Sequence, residues 1–285
     1  MICERIMQTF RRIRQLKYLI KAIIYLQYPR KNVYDFMNMG LMSIQTNDKS
    51  IPKNCYISWK TNLLVKSHYT DLQSFVISNP DFNFYFFTDD EQDKWMKINM
   101  GGTEIYDIYK RVIYGASRSD IFRTCLLEKF GGVFFSINRL IQLPLKDLVG
   151  NGSNFVVSFD PGIYKRINVS KIIPLEFRDH AVIQWGMFSP PHHQILQIAI
   201  SRIIKNAKYY SGREFSPPKE AIWNFDGPYM LTRALDEYLS SSKTPKITIE
   251  GFNYNNSMYI PRGAIFRYAV EPSYLGDLKG KILKD

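Results

Sequence analysis

The sequence has little cysteine, and its cysteines are not close together. The three thiols are far apart, at Cys3, Cys55 and Cys125. A disulfide framework or a zinc knuckle needs cysteines at paired spacings, so this pattern favours neither. The same scarcity is typical of a protein that folds in a reducing compartment.

Long hydrophobic runs are also missing. A membrane-spanning helix needs roughly twenty consecutive apolar residues, and the N-terminal segment that comes nearest is interrupted by Lys17 and Lys21. That segment also lacks the small-residue cleavage site that ends a signal peptide. These two absences predict a cytoplasmic protein or one held peripherally at a membrane surface.

What residues 1–50 do contain is the pattern of an amphipathic helix. Apolar side chains recur every three or four positions, at Ile6, Phe10, Ile13, Leu16, Leu19 and Ile23. Arginines at positions 11, 12 and 14 make this predicted helix basic. Two interpretations stay open, since the apolar face either lies on an anionic membrane as a peripheral contact or packs on the protein's own domain. A polar connector at 45–53 then leads into the main domain, predicted to span 51–285.

The composition is that of a folded domain with an anionic partner. The chain has 285 residues, of which 45% are hydrophobic and 15% aromatic, so it can bury a substantial core. Its 38 Lys and Arg against 26 Asp and Glu give a net charge of +12. Nucleotides, phosphates and acidic lipid all suit that charge. Nucleic acid is disfavoured, because the basic residues are scattered and no recognised nucleic-acid-binding motif is present.

From residue 51 onward, strand patterns alternate with helix patterns. Residues 54–59 and 81–87 are predicted to be buried strands, because they are rich in apolar and aromatic side chains. Thr88 and Glu91 then have the spacing of a capping box, which predicts a helix running through Trp95. A strand that leads directly into a helix is half of a βαβ unit.

The segment 117–132 predicts a second helix with two distinct faces. One face is apolar, while Asp120 and Arg123 are neighbours on another. Gly131 is suited to the left-handed residue that ends a helix. Residues 133–137 are then a predicted strand with Asn138 at its carboxyl end, which is where open α/β sheets bind ligands.

Helical periodicity returns at residues 193–209 and 229–239. An interleaved order of strands and helices predicts an α/β fold.

Several polar residues have ordinary structural explanations. Asp89 and Asp90 are acids at the start of a helix, and the capping box accounts for them without a metal ion. His192 and His193 follow two prolines at the expected start of a helix and are predicted to face solvent. No Ser-His-Asp or Cys-His arrangement of a nucleophile with its base is recognisable.

Five segments, in order along the chain, resemble glycosyltransferase family 32. This group contains mannosyltransferases and α-1,4-galactosyltransferase-like proteins, and the large clostridial toxin glucosyltransferases are more distant relatives. The segments are IPKNCYISWKT, PDFNFYFFTDDE, SRSDIFRTCLLEKFGGVFF, QWGMFSPPHHQIL and DGPYMLTRAL, and the resemblance runs from about Ile51 to Pro261. The third is the most specific, because its Arg, Asp and Gly-Gly positions match the family signature at unbroken spacing.

The resemblance implies a GT-A-like fold, with a mixed, mainly parallel sheet flanked by helices. It also implies a retaining transfer of a hexose from a UDP- or GDP-sugar to a glycan or protein acceptor. In that family, Mn²⁺ or Mg²⁺ bound by a D-x-D motif stabilises the charge of the leaving diphosphate.

The metal motif is where this sequence departs from the family. The three positions are Ser136, Ile137 and Asn138, so both carboxylates are gone and Asn138 offers only a weak, neutral metal ligand. After Ile265 the chain also lacks the His and Trp that the family uses there. The expected Mn²⁺ or Mg²⁺ is therefore predicted to be weakly bound or absent. The alternative function is an inactive protein that keeps the fold and binds a sugar nucleotide or a partner.

The resemblance also assigns roles to individual residues. Those expected to bind the donor sugar or its nucleotide are Trp59, Arg118, Asp120, Arg123, Ser136 and Asn138. Gln184 and Asp226 occupy the family's Asn and Thr positions and are the catalytic candidates. Two simpler interpretations stay open, namely a helix-surface ion pair for Asp120 with Arg123 and core packing for Trp59.

Overall fold

A seven-stranded sheet with helices on both faces forms the centre of the fold. The computed structural model describes residues 16, 20, 30–40, 50–150, 154–162, 173–264 and 277–285. The strands are β1 (Arg30–Asn32), β2 (Asn38–Met39), β3 (Asn54–Ser58), β4 (Leu63–Val65), β5 (Asn83–Phe87), β6 (Gly132–Ser136), β7 (Leu140–Ile141), β8 (Phe155–Phe159), β9 (Gly186–Ser189), β10 (Glu214–Phe215), β11 (Ile247–Phe252), β12 (Met258–Tyr259) and β13 (Gly280–Lys281).

The main sheet has the strand order β11-β8-β9-β6-β3-β5-β2. Strands β2, β5, β3 and β6 are mutually parallel, and β11 is parallel to β8. Strand β9 lies between β6 and β8 and is antiparallel to both. This confirms the α/β fold class, which the alternation of patterns predicts, and the mainly parallel sheet, which the resemblance implies.

Helices cover both faces of the sheet. They are α1 (Lys66–Ile77), α2 (Asp89–Met100), α3 (Glu104–Arg111), α4 (Gly115–Phe130), α5 (Leu145–Val149), α6 (Gln194–Tyr210), α7 (Pro218–Phe225) and α8 (Pro228–Ser241). Among them, α2, α4, α6 and α8 lie where the sequence predicts helices. Thr88 and Glu91 form the predicted capping box at the start of α2, each side chain bonding the backbone of the other.

The turn between α4 and β6 depends on glycine. Gly131 ends α4 with a φ of 61°, and Gly132 follows with a φ of 102°. A side chain at position 131 would lie 2.5 Å from the backbone nitrogen of Pro191. Only glycine combines this backbone conformation with such a close approach, so the Gly-Gly pair fixes how α4 returns into β6.

Alternating side chains of the strands fill two separate cores. Tyr56 and Phe134 point to one face, where they join residues of α2, α3, α4, α6, α7 and α8. Ile57 and Phe135 point to the other face, where they meet α1 and α5. The interior of a strand that is buried on both faces is expected to be apolar, as Cys55–Ile57 in β3 and Phe84–Phe87 in β5 are.

The remaining predictions concern the N-terminal helix, the start of the main domain and the cysteines. The N-terminal helix lies outside the described residues, apart from Leu16 and Ile20, which are helical and exposed. The sheet begins before the predicted domain start at residue 51, because β2 pairs with β5. Cys55 and Cys125 are buried free thiols. Among the helices of the described segments, none has the length and apolar character needed to cross a bilayer.

Candidate functional site

The carboxyl ends of β3 and β6 lie side by side and bring several predicted residues together. Ser58, the last residue of β3, is the register partner of Ser136, the last residue of β6. The Ser58 hydroxyl lies 3.2 Å from that of Ser119 on α4. This contact places the polar side of α4, with Asp120 and Arg123, at the carboxyl edge of the sheet.

Arg123 is buried at this edge, with 7% of its surface exposed. Its Nη2 pairs with Asp120 Oδ1 at 2.9 Å, and its Nη1 donates to the backbone carbonyl of Gln184 at 2.5 Å. The guanidinium also lies over the Phe134 ring, with Cζ 4.8 Å from the centroid. The Asp120–Arg123 pair is therefore not the solvent-exposed helix-surface pair that spacing alone would suggest, since those side chains are only 15% and 9% exposed.

Gln184 and Asp226 are buried next to this pair. The side-chain amide of Gln184 donates to the backbone carbonyl of Asp226 at 2.7 Å, and the hydroxyl of Ser117 donates to the Asp226 carboxylate. Burial raises the pKa of Asp226 well above its ordinary value, and the nearby Asp120 raises it further. Burial also raises the pKa of Asp120, while Arg123 acts in the opposite direction. The carboxyl groups of Asp120 and Asp226 thus lie near a single guanidinium, that of Arg123, in a poorly solvated part of the protein.

Arg118 is directed elsewhere. Its guanidinium pairs with Asp93 on α2 and lies over the Tyr109 ring, with Cζ 5.1 Å from the centroid. Arg118 is close in sequence to Asp120 and Arg123, but its guanidinium does not contact their ion pair.

Trp59 directly follows β3 at the same edge. It is half-buried, its backbone N–H donates to the carbonyl of Phe87 at 3.0 Å, and its ring packs against the core on the α1 side of the sheet. The Lys60 ammonium lies 5.4 Å from the ring centroid. Core packing therefore accounts for part of this side chain, and the rest of it is exposed beside Ser58.

The segment that stands in place of the metal motif is a tight turn. The backbone N–H of Arg139 donates to the carbonyl of Ser136 at 3.0 Å, and that of Ser136 donates to the carbonyl of Trp185 at 2.6 Å. Asn138 Oδ1 is buried and receives no hydrogen bond from a described residue. Sequence reasoning missed Arg139, whose position directly after the altered motif was the available signal.

The residues of this turn do not fit a divalent cation. A hydroxyl and a neutral amide cannot supply the anionic oxygens that compensate Mg²⁺ or Mn²⁺ for lost hydration. Over the part of the chain that the structure describes, no group of three or more His, Cys, Asp or Glu side chains is arranged to hold a metal. Asp89 and Asp90, the other acids at this edge, are exposed in the first turn of α2.

The prediction that both adjacent histidines face solvent is wrong for His193. His193 is buried and caps α6, because its Nδ1 accepts from the N–H of Ile195 while Nε2 donates to the carbonyl of Lys246 at 3.2 Å. Burial lowers its pKa to about 4. His192 is exposed as predicted and lies 3.2 Å from Glu128. The ring of His193 lies inward because it also bonds Lys246, which is 53 positions away and could not be identified from the neighbouring residues.

The chain was compared with protein families, curated proteins and solved structures. No protein-family model matches the chain. No curated protein matches it. A solved structure described as PaToxG Glycosyltransferase is similar, with a TM-score of 0.45 and 15% identity over 79% of this chain and 80% of that chain. A glycosyltransferase is thus among the solved structures that the chain is similar to.

Proposed function

We propose that the chain binds a UDP- or GDP-hexose at the carboxyl edge of β3 and β6 and transfers the hexose, with retention, to a hydroxyl of a glycan or protein acceptor. The observation that carries the proposal is the Asp120–Arg123 pair, which is held at that edge by the contacts of Ser119 with Ser58 and of Arg123 with Gln184. In parallel α/β sheets this edge is the place where ligands bind.

Asp120 is the group best suited to the donor sugar. Its Oδ1 pairs with Arg123, whereas its Oδ2 receives no hydrogen bond from any described residue. A carboxylate oxygen accepts strong hydrogen bonds from sugar hydroxyls, and a guanidinium complements phosphate oxygens. The pair therefore offers complementary chemistry to the two halves of a sugar nucleotide, and in the proposal Trp59, which follows β3 at the same edge of the sheet, receives the base.

The transfer step needs no redox partner. The bond between the anomeric carbon and the diphosphate oxygen breaks, and its electron pair stays on the diphosphate. The acceptor hydroxyl oxygen bonds to the same face of the anomeric carbon, and its proton passes to the departing phosphate oxygen. Positive groups fixed near that oxygen stabilise the charge that develops on it.

In this proposal, Gln184 and Asp226 do not contact the ligand but hold Arg123 in position. Both side chains are buried, at 4% and 0% exposed, and the Gln184 amide bonds the backbone of Asp226. Their contribution is to hold the backbone that accepts from Arg123, so they act as positioning residues.

A second candidate is a protein that binds the sugar nucleotide without turnover. The neutral Ser136 and Asn138 favour it, because a site that lacks anionic ligands holds a divalent ion poorly and loses one means of stabilising the leaving group. Binding without release of nucleoside diphosphate distinguishes this candidate from a transferase.

The test combines binding and turnover. Calorimetric titrations with UDP, GDP, UDP-glucose, UDP-galactose and GDP-mannose are made in EDTA and again in Mn²⁺, and release of nucleoside diphosphate is followed by chromatography. We expect one nucleotide class to bind in EDTA. We also expect Asp120→Asn to weaken binding of the sugar nucleotide by about tenfold, the loss of one charge-assisted hydrogen bond, and to leave the free diphosphate unaffected.

Asp107→Asn is the matched control, because Asp107 is an exposed acid on α3. Its affinities should equal those of the unchanged protein. Failure of every nucleotide and sugar nucleotide to bind, in EDTA and in Mn²⁺, would refute the proposal.

A further inference from the structure

Arg139 lies at the turn where acidic ligands would be expected. Its guanidinium is placed over the indole of Trp185, with Cζ 6.0 Å from the ring centroid, at the limit of a cation–π contact. Trp185 is itself well fixed, since it is 8% exposed and packs against Tyr254 and Phe135 with ring centroids 5.7 and 6.3 Å away. The indole is therefore a rigid platform for the charge.

The charge of Arg139 has no acceptor within the described segments. Other arginines of the fold do have carboxylate partners: Arg118 pairs with Asp93, Arg123 with Asp120 and Arg202 with Glu237. For Arg139, the described residues provide neither a carboxylate nor a carbonyl within hydrogen-bond distance of the guanidinium. A half-buried guanidinium with unused donors is suited to an anion from outside the chain.

Arg139 and Arg123 flank the same two residues. Arg123 donates to the backbone carbonyl of Gln184, while Arg139 lies over the side chain of the following residue, Trp185. The two guanidinium groups thus approach the carboxyl edge of β6 from opposite faces of the sheet. Close by, Trp185 Nε1 and Asn138 Oδ1 are buried without a hydrogen-bond partner among the described residues.

We propose that Arg139 binds the diphosphate of the sugar nucleotide and supplies there the positive charge that the altered metal motif cannot recruit. This inference rests on the proposed function and names a residue of the same site. A guanidinium presents several N–H donors in a plane and matches phosphate oxygens bidentately. Its guanidinium lies over Trp185 before the ligand arrives, and positive charge placed in advance is the condition for effective stabilisation of a leaving group.

The test measures binding of three probes in EDTA: the nucleoside diphosphate, the matching nucleoside and inorganic pyrophosphate. Arg139→Gln should weaken the nucleoside diphosphate and pyrophosphate by roughly tenfold to a hundredfold, the range for lost charge-assisted hydrogen bonds. Nucleoside affinity should not change. Arg139→Lys should fall between, because an ammonium keeps the charge without the bidentate fork.

Arg213→Gln is the matched control, since Arg213 also lies over an aromatic ring, that of Tyr209 at 4.3 Å, but is exposed at the end of α6. It should bind all three probes as the unchanged protein does. Thermal unfolding of each variant shows whether the fold is kept, and the lysine variant carries the test if the glutamine variant is unfolded.

The outcomes separate the two proposals. If the unchanged protein binds the nucleoside diphosphate and Arg139→Gln binds it equally well, the Arg139 inference is wrong and the proposed function survives. If no nucleotide binds but pyrophosphate binds in an Arg139-dependent way, the anion site stands and the proposed function fails. If none of the probes binds, both are overturned.

Discussion

Gln184 donates a hydrogen bond from its side-chain amide to the backbone carbonyl of Asp226 over 2.7 Å, although the two residues lie 42 positions apart. The backbone carbonyl of Gln184 in turn accepts from Arg123. A chain of contacts therefore connects the start of α8, the entry to β9 and the middle of α4. Changes at any of its members are expected to alter the stability of the fold as well as the site.

The carboxyl group of Asp226 should make stability depend on pH. Burial raises its pKa above the ordinary value of 3.8, so the folded state binds a proton at pH values where the unfolded chain has lost it. The free energy of unfolding is then highest below pH 3.8 and falls as pH rises through the raised pKa of the folded state. Asp226→Asn removes this loss, and its stability relative to the unchanged protein should increase with pH by about 1.4 kcal/mol for each unit of pKa shift.

Urea unfolding between about pH 4 and about pH 8 measures the effect as a change in slope. Asp107→Asn, an exposed acid paired with Lys110, is the control and should leave the slope unaltered. Equal slopes for Asp226→Asn and the unchanged protein would show that folding does not raise the pKa of this carboxyl.

His193 should produce a dependence of opposite sign. Burial lowers its pKa from 6.5 to about 4, so the unfolded chain takes up a proton at pH values where the folded state does not. The stability that the neutral ring provides is complete above pH 6.5 and is lost as pH falls toward 4. His193→Asn keeps an acceptor for the α6 cap and removes the titration, so it should lose less stability on acidification.

The same unfolding series, extended below pH 6.5, measures this difference. His192→Asn is the control, because His192 is exposed and adjacent in sequence. Parallel stability curves for His193→Asn and the unchanged protein would contradict a buried neutral ring.

Arg123 should matter far more for stability than an exposed arginine does. Arg123→Ala leaves Asp120 without its partner in a buried place and should lower the free energy of unfolding by about 3–5 kcal/mol. Arg202→Ala breaks a partly exposed pair with Glu237, 2.6 Å long, and should cost no more than about 1 kcal/mol. Denaturant midpoints of the two variants provide the comparison, and similar losses would mean that the Asp120–Arg123 pair is effectively solvated.

Restoring acids at the turn should create a metal site. Ser136→Asp combined with Asn138→Asp places two carboxylates where the family that the sequence resembles has them, and the added negative charge favours a divalent ion. We expect Mn²⁺ to tighten binding of the sugar nucleotide by on the order of tenfold in the double variant and to have no effect on the unchanged protein. Arg139 competes for the new carboxylates, so Arg139→Gln in the same background should increase the Mn²⁺ effect further.

Titrations with and without Mn²⁺ decide this prediction, and Asp89→Asn serves as a control for the acids at the start of α2. Tight Mn²⁺ binding by the unchanged protein, or its loss in Asp89→Asn, would show that other residues form a metal site.

Much of the local architecture follows from the sequence because it depends on neighbouring residues. Groups within a few positions of one another determine several features. These are the capping box of Thr88 and Glu91, the helix that Gly131 ends and the largely apolar strands β3 and β5. Spacing along the chain reveals such patterns directly. The neutral Ser136 and Asn138 were likewise visible in the sequence, as was the α/β order of the elements.

The tertiary structure alone decided which charges meet. Arg118 and Arg123 are five positions apart on one helix, yet Arg118 pairs with Asp93 of α2, and Arg123 donates to a carbonyl 61 residues away. Periodicity assigns a side chain to a helix face and leaves open what that face contacts. The same limit hid the inward turn of His193 and the position of Arg139 over Trp185, because sheet pairing brings those partners together from distant parts of the chain.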